Sequence, residues 1–304
     1  MSMKYIITGA SGAFGRGATQ GMLSHVSPED LILVTRNPDS LKEMADRGCS
    51  VRFGDFDDYD SLEVAFQGGN KMLMISTSRV GERMPQHTNA VNAAKACGVS
   101  HVIYTSFVGA VPDNPSLAVR DHRGTESLLR ESGMAWTAMR NSQYADYIFA
   151  SAPNAIRAGK WFTSSEDGTV AHVCREDCIE AAVTVLSGDG HENRVYNITG
   201  PELLSIRNVA DIVRDVSGQD FEFVEISDDD MYAFFDSLGV PRSPIDDNVA
   251  SDIPWCSDDM VSFERTIREG RFSIISNDFE TLTGHKPKSL RALAEAHRDL
   301  LLPA

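Results

Sequence analysis

No apolar run in this sequence approaches the ~18–20 residues that a membrane-crossing helix needs. The first strand is expected to begin at about Met3, which leaves no room for a secretory leader, so a cytoplasmic protein is expected. Cysteine is sparse and unpatterned, five in all, at 49, 97, 174, 178 and 256. Cys174 and Cys178 are spaced for one helical face, but no second Cys or His pair completes a zinc pattern. Reduced thiols and no bound metal are expected. Positive charge is scarce too. Lys and Arg number 28 against 44 Asp and Glu, a net charge of −16. That excludes general affinity for nucleic acid or an anionic membrane surface. An anionic cofactor must then be held by local groups, which screening over roughly 8 Å permits. Internal repeats and low-complexity linkers are absent as well.

What is present is a chain of 304 residues, enough for one large α/β domain with a smaller lobe. Short apolar runs at 4–8, 31–35, 51–53, 72–75, 101–105 and 135–139 read as strands. Helical patterns at 13–25, 38–47, 60–66, 83–97 and 119–132 alternate with them. Gly98 and Gly133 stand where helix-ending glycines belong. Such alternation predicts α/β architecture: a Rossmann-type doubly wound parallel sheet, covered on both faces. Ligands of these sheets bind beyond the carboxyl ends of the strands. The loops from 8, 35, 54, 76, 105 and 140 are therefore the ones to watch.

After Asn141 the regularity breaks. A helix is expected over 176–186, a strand able to return to the sheet over 195–198, and helices over 201–217 and 290–301. The acidic, Pro-containing stretch 226–259 reads as helix and loop over a cleft. The expected division is a nucleotide-binding domain over 1–142, joined by about 170–200. The remainder of 143–304 forms a smaller, interleaved C-terminal lobe for substrate.

Thr8-Gly9-Ala10-Ser11-Gly12-Ala13-Phe14-Gly15 follows a strand and opens a helix, the context that gives a Gly-x-x-Gly-x-x-Gly run its meaning. Gly9 permits the tight turn, Gly12 lets backbone approach a pyrophosphate, and Gly15 lets helix pack on strand. Ser11, Ala13 and Phe14 belong to the same cradle, where first-turn N–H groups face the anion. An NAD site usually carries Asp or Glu at the end of the second strand. Here the strand ends in Thr35-Arg36-Asn37. Arg36 can pair with a 2′-phosphate, which points to NADP(H); a solvated surface arginine is the plainer alternative. Asp55 and Phe56 follow the third strand and suit the adenine, although Asp55 also suits a simple turn. Ser76 and Thr77, after the fourth strand, either face the cofactor's ribose or start a loop.

With Tyr104-Thr105-Ser106, His122-Arg123-Gly124-Thr125-Glu126 and Met139-Arg140-Asn141-Ser142-Gln143-Tyr144 added, the sequence resembles the short-chain dehydrogenase/reductase superfamily in its atypical, NmrA-like branch. The likeness runs over almost the whole chain and includes Leu282-Thr283-Gly284-His285-Lys286-Pro287. It implies NADPH and an aromatic or quinone-like small molecule as electrophile. It also implies a cofactor contact at Ser106, while Asn141, Gln143 and Tyr144, which follow the sixth strand on the ligand side, are candidate contacts to the nicotinamide or the substrate. One departure matters. The superfamily's Tyr-x-x-x-Lys falls, counting back from Glu126, on Ala118 and His122.

Hydride reduction of a ketone leaves an alkoxide that needs a donor. A quinone, quinone methide or dye cation instead yields a delocalised phenolate or a neutral product, and chiefly needs positioning. His122 is a candidate for the lysine's ribose contact or for a substrate oxygen; a structural role is equally open. Tyr144 or Tyr147 is a candidate proton donor, with packing the favoured reading for Tyr147. Trp161, Phe162, Phe234, Phe235 and Trp255 are candidates for an aromatic wall, although such residues more often fill cores. Three functions stay open: an NADPH-dependent reductase of quinone-like or dye-like compounds, a lignan-type benzylic ether reductase, and a non-catalytic NADP(H) sensor. A homodimer is left open.

Overall fold

The computed structural model describes residues 2–244 and 256–303; Trp255 lies outside the described residues. The strands, in chain order, are β1 (Tyr5–Ile7), β2 (Leu31–Thr35), β3 (Ser50–Phe53), β4 (Lys71–Met74), β5 (His101–Phe107) and β6 (Ala135–Asn141). Then come β7 (Lys160–Thr163), β8 (Thr169–Val170), β9 (Arg194–Ile198), β10 (Leu204–Ser205) and β11 (Glu222–Glu225). The helices of the first half are α1 (Ala13–Met22), α2 (Lys42–Asp46), α3 (Tyr59–Ala65), α4 (Arg83–Ala96) and α5 (Leu117–Glu131). Those of the second are α6 (Ile148–Ala158), α7 (Arg175–Ser187), α8 (Ile206–Ser217), α9 (Asp228–Ser237), α10 (Ser257–Arg268), α11 (Asp278–Thr283) and α12 (Leu290–Ala296).

Seven strands form one parallel sheet in the order β3-β2-β1-β4-β5-β6-β9. The winding reverses between β1 and β4, the crevice where such sheets take their ligands. β2 and β4 are buried along their whole length, as parallel strands covered on both faces must be. β9 comes from the second half of the chain and pairs with β6 from Thr137↔Arg194 to Asn141↔Ile198. Two further small sheets pair β10 with β8 and β11 with β7.

Several elements differ from the sequence expectation for local reasons. The first helix stops at Met22, and its last turn tightens through His25 N–H to the Met22 carbonyl at 2.9 Å. The expected helix over 38–47 divides into a 3₁₀ turn, Pro38–Leu41, and α2. The helix expected from 201 begins only at Ile206. Ser205 caps it, its hydroxyl accepting from the Asn208 N–H while the Asn208 side chain returns to the Ser205 backbone. Leu204 is therefore a strand residue of β10.

The glycines of the first helix and its loop let it pack closely on its neighbours. Gly9 has φ +57°, a left-handed turn that glycine adopts without strain. A methyl group at Gly15 would strike the Gly9 carbonyl and come within 2.6 Å of the Ala10 Cα. Toward the neighbouring helix, Gly17 and Gly21 admit Ile179 and Val183 of α7, whose atoms lie 2.7 and 2.8 Å from where a Cβ would stand. Gly15→Ala should cost ~1–3 kcal/mol of folding stability, because backbone cannot step aside as a side chain can. Denaturant unfolding of the variant checks this; an unchanged midpoint and slope would contradict it.

Candidate active site

A groove of about 360 Å³ opens along the carboxyl ends of β1, β2, β3 and β4. Eight of the residues singled out from sequence line it: Gly9, Ser11, Gly12, Arg36, Asp55, Phe56, Ser76 and Thr77. The glycine loop is tied to the neighbouring strands. Ala10 N–H donates to the Val34 carbonyl at 3.1 Å, and the hydroxyls of Ser11 and Thr35 meet at 2.8 Å. Arg16 braces the loop from outside, donating to the carbonyls of Ser11 and Ser40, each at 2.8 Å. Ala13 and Gly15 contribute backbone, while the Phe14 side chain is buried in the core beneath. A side chain at Gly12 would meet only the Gly9 carbonyl, at 3.3 Å. The constraint on Gly12 therefore comes from what approaches through the groove, not from the fold.

The groove also holds a residue that sequence reading missed. Gln86, on α4, is 2% exposed and lines the wall beside Asp55 and Phe56. Its amide N–H donates to Asp57 at 2.8 Å, while its carbonyl oxygen is buried without a partner among the described residues. Helical periodicity announced α4 but not which of its polar residues faces inward. An orphaned acceptor beside an aromatic ring suits the exocyclic amine of adenine. Asp55 is partly engaged, accepting from the Asp57 N–H at 3.1 Å.

Thr77 is held from below by two buried groups. Arg83 donates through Nε to the Thr77 carbonyl at 2.6 Å. The Thr77 N–H donates to His87 Nε2 at 3.3 Å, and His87 Nδ1 meets the Thr125 hydroxyl at 2.7 Å. Burial, and then the charge of Arg83, push His87 down to about 3, so it is neutral.

His122 belongs to this buried layer. It is 4% exposed. Arg83 donates to its Nε2 at 3.0 Å, which assigns the ring proton to Nδ1, 2.8 Å from the Tyr104 hydroxyl. Burial, with Arg83 and His87 adding to it, holds His122 well below its ordinary value. Of the two roles left open for His122, a ribose or substrate contact and a structural one, this geometry suits the structural: both ring nitrogens are engaged inside the protein, and the ring is neutral. The expectation of a cofactor contact at Ser106 is corrected. Side chains alternate along a strand. Thr105 turns to the Ser76 N–H at 2.9 Å, so Ser106 turns the other way and donates to Glu126 at 2.7 Å, inside an ion cluster with Arg140 and Arg130.

Asn141, the last residue of β6, stands together with Tyr144. Asn141 donates to the Tyr144 hydroxyl at 3.2 Å, and its carbonyl oxygen has no partner among the described residues. Burial raises Tyr144 far above the usual tyrosine value, which opposes loss of its proton. Among the aromatic candidates, Trp161 is core, 5.8 Å from Phe221, and Phe162, Phe234 and Phe235 form a separate cluster. The rings near the sheet's carboxyl edge are Phe107, which stacks on His122 at 6.0 Å, with Phe263 and Phe272. All five cysteines are free thiols, and no cluster of three or more His, Cys, Asp or Glu among the described residues is set to hold a metal.

A family model of NAD(P)H-binding proteins matches residues 9–187. The chain belongs to that NAD(P)H-binding family. Quinone oxidoreductase 2 of Escherichia coli is 36% identical over 248 residues, 81% of this chain and 86% of that protein. The structure of an E. coli NADPH-dependent quinone oxidoreductase complexed with NADPH superposes with a TM-score of 0.86 at 32% identity, covering 97% of this chain and 99% of that one. The Citrobacter triphenylmethane reductase complexed with NADP(H) gives 0.83 at 28% identity, covering 96% and 99%. The family member described here is an oxidoreductase with an NAD(P)H-binding groove.

The groove fits the cofactor on its own terms: a glycine cradle with no room for Cβ at Gly15, an arginine at the end of β2, and an orphaned amide oxygen at the adenine end. NADPH should bind ~10- to 100-fold tighter than NADH, the worth of one charge-assisted bond of ~1.5–3 kcal/mol. Arg36→Ala should erase that ratio, whereas Gln86→Leu should weaken both cofactors alike. Fluorescence titration of the three proteins decides; equal affinities in wild type would overturn the Arg36 assignment.

A second expectation concerns pH. His87 has a depressed pKa when folded and an ordinary one, near 6.5, when unfolded. Its contribution to stability is whole above pH 6.5 and is lost as pH falls toward 3. His87→Gln should shed that loss. Between pH 6 and 4 the wild type should lose up to about 1.4 kcal/mol per pH unit relative to the variant, one proton's worth. Parallel denaturation curves across that range would show that His87 binds its proton in the folded state.

Proposed function

We propose that the chain is an NADPH-dependent reductase that passes hydride to an aromatic, quinone-like or dye-like small molecule in the cytoplasm. The observation that carries this reading is the state of His122. Where the superfamily's lysine would stand is a neutral, buried histidine with both nitrogens engaged, and the tyrosine position is Ala118. No acid is in place for a nascent alkoxide there. An acceptor that spreads its own negative charge over a ring, or loses a positive one, has no such need.

Reduced nicotinamide supplies the hydride when bound. The protein's own share is binding and order. Backbone N–H groups of the Gly9–Gly15 loop would hold the pyrophosphate, and Arg36, at the groove's edge, would pair with the 2′-phosphate. Arg83 and His87 fix Thr77 at the ribose end. Asn141, whose carbonyl oxygen has no partner among the described residues, would accept from the carboxamide of the nicotinamide. Phe107 and Phe263, in edge contact at 5.9 Å, would give an aromatic acceptor apolar surface to rest on.

The names of the relatives support the substrate class: a quinone oxidoreductase and a triphenylmethane reductase share this fold over nearly their whole lengths. The test is NADPH oxidation with a para-quinone, a cationic triphenylmethane dye and an isolated aliphatic ketone. Turnover of the quinone or the dye, at least ~100-fold above the ketone in kcat/KM, is the expected result. Preferred reduction of the ketone would mean that a proton donor operates at the site after all. Failure of all three acceptors would remove the substrate class.

A further inference from the structure

Past the carboxyl ends of β6 and β9 the chain assembles a second polar group, apart from the groove. Tyr147 closes the 3₁₀ turn Ala145–Tyr147 directly after β6. His172 precedes Val173, whose backbone is laddered to the same turn. The Val173 N–H donates to the Gln143 carbonyl at 3.0 Å, and the Ala145 N–H donates to the Val173 carbonyl at 2.8 Å. The rings of Tyr147 and His172 lie 5.3 Å apart at 36°.

Their polar atoms are the unusual feature. The Tyr147 hydroxyl and both ring nitrogens of His172 are buried with no partner among the described residues. His172 is 2% exposed, whereas the Tyr147 ring is half-buried. Protein interiors pair nearly all such atoms; here three are orphaned side by side. Packing alone does not account for this, since phenylalanine and leucine would fill the same space without the loss. Burial pushes His172 down to about 3, leaving a neutral imidazole with one donor and one acceptor. Burial, reinforced by the carboxylate of Glu264, keeps the proton on Tyr147. Glu264 itself is engaged with the Thr163 hydroxyl and the Ser164 N–H. Half-buried Phe107, Phe149 and Phe263 pack with Tyr147 against one apolar cluster. The result is an aromatic cluster with two buried hydrogen-bond donors set into it and nothing among the described residues to receive them.

We propose that Tyr147 and His172 recognise the oxygen of the hydride acceptor, which fits the site to quinones over electrophiles without oxygen. This rests on the substrate class proposed above and narrows it. The Tyr147 O–H and the His172 N–H donate to one quinone oxygen. Hydride from the reduced cofactor brings two electrons to the quinone, and negative charge gathers on that oxygen as it becomes phenolate. The two donors carry the charge. One proton from solvent completes the hydroquinone, the cofactor leaves oxidised, and neither side chain is consumed. Without an acceptor the orphaned groups cost stability, which an entering oxygen relieves.

Tyr147→Phe removes the hydroxyl and keeps the ring, so it separates function from packing. Its melting temperature should be no lower than that of wild type. Its quinone-to-dye ratio of kcat/KM, measured with a para-quinone and a cationic triphenylmethane dye at saturating NADPH, should fall by ~10²-fold. His172→Gln, which retains a donor, should lower the ratio less. Binding is read separately: the NADP⁺-loaded wild type should hold a hydroquinone at least ~10-fold tighter than Tyr147→Phe does. A lowered melting temperature, an unchanged ratio, or equal hydroquinone affinity would each overturn the proposal. A wild type that binds hydroquinone through Tyr147 yet turns over neither acceptor would uphold the recognition pair and overturn the reductase reading, so the two fail separately.

Discussion

Gly15 lets α1 rest on the backbone of Gly9 and Ala10, and the ligand side of the molecule depends on that contact. It sets the depth at which the first-turn N–H groups stand in the crevice between β1 and β4. It lets Ala10 reach the Val34 carbonyl and Ser11 reach Thr35, which in turn places Arg36 at the groove's edge. A chain of net charge −16 repels anions at long range, so binding of a pyrophosphate has to be won within a few ångströms. Backbone donors held by a rigid contact suit that task, because they need no side chain to be ordered when the anion arrives.

Beneath the groove lies a layer whose groups are polar but kept uncharged. His87 and His122 are neutral through burial and through their shared neighbour Arg83. Arg83 holds the one fixed charge among these contacts, and it donates to Thr77 above and His122 below. The layer therefore orients the wall of the site without offering it a proton. At Ala118 and His122, where the resemblance puts the superfamily's tyrosine and lysine, the chain has a small apolar residue and a buried, neutral histidine.

The parts legible in the sequence are those whose signals are local. Gly9, Gly12 and Gly15 are readable because a turn, an approach and a packing contact each need a missing side chain at a fixed spacing. Arg36 is readable because the end of β2 must face the groove. Ser106 was misjudged because alternation along β5 gives the groove to Thr105 instead, a difference of one residue that periodicity in a fully buried strand does not reveal. His122 was open between roles because its partners, Tyr104 and Arg83, come from β5 and α4 and meet it only in the folded chain. Gln86 and Tyr147 were passed over or set down to packing for a related reason. Their distinguishing mark is an unsatisfied atom, and that is a property of surroundings, not of residue type.

The pairing of Gly17 and Gly21 with Ile179 and Val183 bears on how the molecule can be divided. The helix that presents the phosphate cradle is covered by a helix encoded more than 150 residues later, and β6 is covered by β9 from the same region. A polypeptide released after Asn141 would show water a glycine-lined trough on one face and an unpaired strand edge on the other, both of them adhesive. During synthesis the cradle thus remains provisional until α7 and β9 have left the ribosome. A nascent chain stalled before that point would be a substrate for chaperones rather than a half-sized nucleotide-binding protein.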